Sequence, residues 1–180
     1  MLKLRDGIVE LYRKVSTSIP PDVEEAIKNA LSIEESPAAR ESLSKMLDTI
    51  RKSRQGYRPA CVDTGIPVFK VKVPRGLSQT EIRNTIREST ALATQKVPLG
   101  PSAVNVLTGE NSGDNTGFGF PMVFLEEAPD DTLTVDLMLR GGDCENYGRI
   151  YSLPFAALGE GRDLEGVGIC VLDCVRKAQG

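Results

Sequence analysis

The residues best suited to chemistry lie in Cys61-Val62-Asp63-Thr64-Gly65, preceded by Arg58-Pro59-Ala60. A soft sulfur ligand beside a hard carboxylate can hold iron and also handle a proton. Two later stretches are rich in Gly, Asn and Asp. Residues 108–117 run Thr108-Gly109-Glu110-Asn111-Ser112-Gly113-Asp114-Asn115-Thr116-Gly117, and residues 140–146 run Arg140-Gly141-Gly142-Asp143-Cys144-Glu145-Asn146. Such residues anchor tight turns and present backbone N–H donors, so both stretches read as loops that converge on a centre at Cys61.

Each cysteine also has a plainer reading. Cys61 could be a small buried hydrophobe, although Asp63 and Thr64 would be costly to bury unpaired. Cys170 and Cys174 lie four apart on an apolar helical stripe, which favours core packing over metal binding. Cys144 could be a ligand, a reactive thiol or a tolerated small residue. A four-cysteine zinc site lacks the paired short spacings of zinc folds. Arg140-Gly141-Gly142-Asp143 follows a strand pattern, but it has neither dinucleotide-loop spacing nor a Walker lysine.

The bulk composition narrows the class. The 180 residues suffice for one domain with a real core, and 40% hydrophobic with 26% charged residues is ordinary for a globular chain. The net charge of −3 gives no general attraction to nucleic acid or anionic lipid. No apolar run reaches membrane-spanning length, and the N-terminus is charged and amphipathic, so the expected location is cytoplasmic. Four cysteines then suggest metal, catalysis or burial before disulfides. The chain contains no histidine, which excludes a Ser-His-Asp triad and His-ligated zinc within it. It also has no Trp and only 5% aromatics, which argues against a base-stacking surface.

Elements must position these residues. Leu4, Ile8, Leu11, Tyr12 and Val15 predict a first helix. Ile19-Pro20-Pro21-Asp22 breaks it and starts a second, with Val23, Ala26, Ile27, Ala30 and Leu31 on one face. Ser36-Pro37 reads as a cap followed by a first-turn proline, opening a third helix to about Lys52 with Leu43, Met46, Leu47 and Ile50 inward. Phe69, Val71 and Val73 alternate with Lys70 and Lys72, predicting a strand. Ser78-Gln79-Thr80-Glu81 is a capping box for a helix to about Gln95, with Ile82, Ile86 and Ala93 along it. Residues 97–121 are rich in turn formers, and an unstructured stretch of that length favours function. Residues 122–125 and 132–139 read as strands joined by an acidic turn, and residues 163–178 as a largely buried helix. The fold expected is α+β: an N-terminal helical layer, a small mixed β-sheet with flanking helices, and long glycine-rich site loops. Residues 1–56 form a helical lead-in packed on 57–180, as one domain.

Five segments in order give this chain a family resemblance. Ile19-Pro20-Pro21-Asp22-Val23 and the next two helices resemble the helical lead-in of the iron–sulfur hydro-lyase alpha subunit or region, the class I fumarase and L(+)-tartrate dehydratase family. Cys61 to Gly65 resembles its CQDTG motif, and residues 97–104 resemble PLRPNAV. Residues 111–117 resemble NTGDNTG, and residues 140–146 resemble KGGGSEN.

The resemblance implies a labile 4Fe–4S cluster with three cysteine ligands and an open iron that acts as a Lewis acid in the reversible hydration/dehydration of a 2-hydroxy dicarboxylate. By position, Cys61 is implied as the first cluster ligand, with Cys144 as a further candidate. Asp63 is implied in proton transfer beside the substrate. Thr64, Asn111, Asn115, Thr116, Gly141, Gly142 and Asp143 are the implied substrate-binding residues, the glycines allowing close backbone approach to a carboxylate.

Departures from the motifs are Val62 for glutamine, Gly100 for arginine, and Asp143 and Cys144 for glycine and serine. They fit a changed substrate or a non-catalytic relative acting as a binding or assembly subunit. A small metal-binding protein using Cys61 and Cys144 is a third reading. In the family the other cluster cysteines follow the point where this sequence stops. The expectation is therefore an enzyme incomplete alone, working as an oligomer with a missing alpha segment, a beta subunit, or both. Nucleic acid and membrane are not expected as partners.

Overall fold

The computed structural model of the protein describes residues 1–56, 58–61, 63–141, 148–159 and 161–178. They fall into two compact units, Met1–Arg140 and Gly141–Gly180. The architecture is α+β, with helices flanking a three-stranded mixed sheet.

In the first unit, three helices come first: α1 (Leu2–Thr17), α2 (Pro21–Ile33) and α3 (Pro37–Gly56). Strand β1 (Ile66–Val73), helix α4 (Gln79–Lys96), and strands β2 (Met122–Glu127) and β3 (Thr134–Arg140) follow. Ser78 caps α4 by accepting the Glu81 N–H at 3.3 Å, as the capping-box reading predicts. Arg40 closes the other end of α2, donating to the carbonyls of Leu31 and Glu34.

Strand β1 is central, with order β2-β1-β3. It pairs in parallel with β2, in register Val68 to Met122, and antiparallel with β3, in register Ile66 to Arg140. A parallel neighbour needs a long crossover, and α4 supplies it. The acidic turn predicted to join two strands does join them, but the strands lie on opposite edges with β1 between. Ala128 N–H donates to Val73 O at 2.9 Å, so the turn passes across the end of the central strand.

The alternation predicted for β1 places Phe69, Val71 and Val73 in the core. They pack with Ile8 and Tyr12 of α1 and with Ile82, Ile86 and Ala93 of α4. Tyr12 meets Phe69 edge-on at 5.7 Å between ring centroids. The stripe of α3 is less buried than expected: Ile50 is inward but Met46 is 54% exposed. Val23 of α2 is also exposed, because α2 packs chiefly on α3 rather than on the sheet.

Among its described residues the second unit carries a 3-10 turn, Ala156–Leu158, and helix α5 (Leu164–Ala178). The expectation that α5 is largely buried is not met. Its buried residues are Gly166 and Cys170, while Leu164, Val167, Val171, Leu172 and Val175 are exposed. The described residues beside it, among them Tyr151 and Leu153, are too few to cover a wider face. Gly166 sits so close to the turn before α5 that a Cβ there would meet Gly161 O at 2.5 Å.

Among the described residues, no helix is long and apolar enough to cross a membrane.

Tyr12 gives the first prediction. Its hydroxyl shares a 2.8 Å hydrogen bond with Thr90 Oγ1 at full burial, and burial raises its pKa above the ordinary tyrosine value despite that bond. An unfolded tyrosine ionises near pH ~10 while the folded one stays neutral, so stability should fall as pH rises above that point. Tyr12→Phe should cost about 1 kcal/mol at neutral pH and flatten that alkaline loss, as read by urea unfolding across pH.

Candidate functional site

Cys61 is presented on a segment fixed from two sides. Ala60 N–H donates to Ser16 O at 2.8 Å at the end of α1, and Ser53 Oγ of α3 donates to Pro59 O at 2.9 Å. Ser16 and Ser53 are both buried. The cysteine itself is exposed, and Asp63 is half-buried. Three residues past Asp63, at Ile66, the chain enters β1.

Thr64 is buried and makes the first link between motifs. Its Oγ1 accepts the Gly100 N–H at 2.8 Å, tying the start of β1 to the 97–104 stretch. Gly65 makes the second. Its φ is +87°, and a Cβ there would fall 2.6 Å from the carbonyl carbon and oxygen of Arg140. Glycine is required both for the left-handed backbone and for this approach. It brings the residues after Cys61 against the end of β3, where the 140–146 stretch begins.

Asn115 makes the third link. It has φ 61° and is 2% exposed. Its Oδ1 accepts the N–H groups of Ser102 at 2.7 Å and Ala103 at 3.2 Å. Its Nδ2 donates to Gly100 O and to Thr94 Oγ1, both at 3.0 Å. All four hydrogen-bonding positions of the amide are therefore occupied. One side chain joins the 111–117 stretch, the 97–104 stretch and α4.

The neighbours of Asn115 stiffen this loop. Asp114 Oδ1 accepts from Thr116 N–H at 2.9 Å and from Thr116 Oγ1 at 2.7 Å. Burial pushes the Asp114 carboxyl up, but the Thr116 and Ser112 hydrogen bonds and the Arg87 charge outweigh it and hold it below the usual range. Arg87 of α4 donates to the carbonyls of Thr116 and Phe120. Asn111 is exposed; its Nδ2 donates to Pro101 O and its Oδ1 accepts Gly113 N–H, both at 2.7 Å.

Cys61, Asp63, Thr64, Asn111, Asn115 and Thr116 therefore belong to one set of segments joined through Gly100 and Arg140. Gly141 is half-buried at the start of the second unit. Val62, Gly142, Asp143 and Cys144 lie outside the described residues. Among the described residues no group of three or more His, Cys, Asp or Glu side chains is placed to hold a metal. A single exposed thiol fits one ligand of a metal centre and not a complete donor set.

Sequence reasoning named Thr64 and Asn115 but overlooked the partners they hold, the Gly100 backbone and Thr94. Gly100 acts through its backbone, which no residue type announces. Thr94 had a signal: Thr85, Ser89, Thr90 and Thr94 place hydroxyls along the inward side of α4, and Thr85, Ser89 and Thr90 are buried. Each returns its hydroxyl to the carbonyl four residues back, which leaves the oxygen able to accept from elsewhere.

The profile of the family described as fumarate hydratase (fumerase) matches residues 5–180. The chain belongs to that family. A relative from Geobacillus stearothermophilus named as a class I fumarate hydratase is 43% identical over 184 residues, covering 100% of this chain and 36% of its own length. A Methanocaldococcus jannaschii protein named as an L(+)-tartrate dehydratase subunit alpha is 28% identical, covering 99% of this chain and 63% of its own length. The Escherichia coli L(+)-tartrate dehydratase subunit alpha is 33% identical over 149 residues, covering 82% of this chain and 49% of its own length. The chain thus spans between 36% and 63% of these relatives.

The Thr64–Gly100 link is directly testable. Thr64→Val keeps the shape but leaves the Gly100 N–H without its acceptor, which should cost about 1–3 kcal/mol. Thr64→Ser should recover most of that loss. Amide hydrogen exchange at Gly100 reads the same bond locally, with faster exchange expected in the valine variant and near-normal exchange in the serine variant.

Proposed function

We propose that this chain is the Cys61-bearing part of a hydro-lyase that reversibly removes water from a 2-hydroxy dicarboxylate, the reverse step adding it across the double bond of the unsaturated dicarboxylate. The observation that carries the reading is the joining of the motif segments by Thr64, Gly65 and Asn115 around one end of the sheet. The names of the relatives, fumarate hydratase and tartrate dehydratase, supply the reaction class.

Within that reading the residues take distinct roles. Cys61, exposed on a segment held by α1 and α3, is suited to ligate iron as a thiolate. A 4Fe–4S cluster ligated in part by Cys61 would supply a Lewis-acidic iron to the substrate hydroxyl. Asp63, two residues on, is the group for proton transfer. Thr64 and Asn115 act by position, because their polar atoms are already engaged with the backbone of neighbouring loops. Asn111, Thr116, Gly141, Gly142 and Asp143 remain candidates for contact with the substrate. The other cluster ligands come from segments beyond the described residues, and a beta-type subunit completes the assembly. A cytoplasmic location suits an oxygen-sensitive cluster.

One observation favours the second reading, a non-catalytic binding or assembly subunit. Position 100 has no side chain, and both its N–H and its carbonyl are engaged within the chain, so it offers nothing to a substrate carboxylate.

The test is anaerobic iron–sulfur reconstitution of the full-length protein with its partner subunit, assayed on fumarate, L-malate and L-tartrate. Cys61→Ser should abolish both the cluster absorption and turnover. Asp63→Asn should keep the absorption and lower turnover by about 100-fold or more. A complete assembly that forms no cluster and turns over none of the three acids would leave the binding-subunit reading in its place.

A further inference from the structure

A second place in the first unit, a cleft beside α4, can be considered without the hydro-lyase reading. Arg83 and Arg87 lie one turn apart on α4, on a surface distinct from the core face of Ile82, Ile86 and Ala93. With Asn84, they line a cleft of about 320 Å³ whose opposite wall is the turn through Phe120, Pro121 and Val123. Among the described residues no acidic side chain lines it.

Both guanidinium groups are held in place by backbone carbonyls rather than by carboxylates. Arg83 Nη1 donates to Val123 O at 3.1 Å. Arg87 Nη1 donates to Phe120 O at 3.2 Å, and its Nη2 to Thr116 O. Among the described residues neither arginine forms an ion pair with an acid. Arg87 does feel the Asp114 carboxylate, which its charge helps to keep ionised, so Arg83 is the less compensated of the two. A guanidinium has five N–H donors, and these carbonyls engage one or two on each. The result is a pair of fixed cations with unused donors, beside an amide side chain, on a protein whose net charge is −3.

We propose that this cleft binds a small oxyanion, a carboxylate or a phosphate group, between Arg83 and Arg87. Planar, multiply donating guanidinium groups match the oxygens of either anion in a way that a lysine does not. The side chains are already oriented, so little rotamer freedom is lost on binding. Because the site is open to solvent, binding is salt-sensitive. Its occupant would sit on Arg87, the residue that also grips the Thr116 carbonyl, and so would bear on the loop that Asn115 anchors.

The experiment titrates inorganic phosphate, and separately malonate, into the isotopically labelled chain at low ionic strength, following amide shifts by NMR. Saturable shifts at Asn84, Phe120 and Val123 are expected, weakening as sodium chloride is added. Saturation by phosphate alone supports a phosphorylated ligand, by malonate alone a carboxylate, and by both in competition the shared oxyanion chemistry. Arg83→Gln should weaken binding at least tenfold and Arg83→Lys by a smaller factor, with folding checked by circular dichroism. Cys61→Ser should leave the affinity unchanged, which separates this site from the candidate catalytic one. The proposal is overturned by the absence of saturable binding, by an Arg83→Gln variant that binds as the wild type does, or by shifts that map to residues 61–65 instead.

Discussion

The structure depends on a close approach of backbones at one end of its sheet. Gly65 lies against the main chain of Arg140, and Thr64 beside it holds the amide of Gly100. Neither contact tolerates a substitute easily. A side chain at position 65 would collide with backbone, which cannot rotate away as a side chain can. The Gly100 N–H lies in a partly buried setting where an unmet donor carries its full desolvation cost. These two short-range demands determine where three separate stretches of sequence meet.

Helix α4 carries that junction into the rest of the unit. Its hydroxyl residues do two jobs along one side. Thr90 meets Tyr12 in the core, and Thr94, one turn later, meets Asn115 in the loop. Mechanical continuity between the core and the candidate site therefore runs through a few helical turns of Ser and Thr, residues that helices otherwise disfavour. The inward hydroxyls are tolerated because each is satisfied by the carbonyl a turn back. Arg83 and Arg87 brace the strand-entry turn from elsewhere on the same helix. One element thus fixes the loop before β2 through two kinds of contact, buried hydroxyls and guanidinium-to-carbonyl bonds.

Much of this was legible in the sequence, for particular reasons. The β1 alternation and the α4 capping box are local signals, and local signals survive tertiary context when the core agrees with them. The order of the motif stretches pointed correctly to the family. Strand neighbours were less legible, because an acidic turn between two strand patterns says nothing about a third strand that was passed earlier in the chain. The α5 stripe misled for a different reason. Apolar periodicity reports what a helix could bury, not whether anything among the described residues covers it. Gly100 and Gly65 show the other blind spot: a backbone that acts as donor, or that needs to come close, leaves no mark beyond a glycine among many.

The contrast between Cys61 and its surroundings bears on what kind of site this is. Around it the chain satisfies its own polar groups: the Asn115 amide is saturated, Thr64 is engaged and Asp114 is ringed by donors. The segment leading to the cysteine is tied down by Ser16 and Ser53, yet the cysteine is exposed. A residue with no role beyond packing would have been drawn into the core along with those serines, since free cysteine is among the residues most readily buried. Holding the backbone rigid around an exposed cysteine costs conformational entropy, and no hydrogen bond to its sulfur among the described residues offsets it. Metal ligation would offset it, because a preoriented thiolate loses little freedom when it binds. One thiolate does not complete a coordination shell, so in the role proposed for it Cys61 would be one contributor to a site that other segments must close.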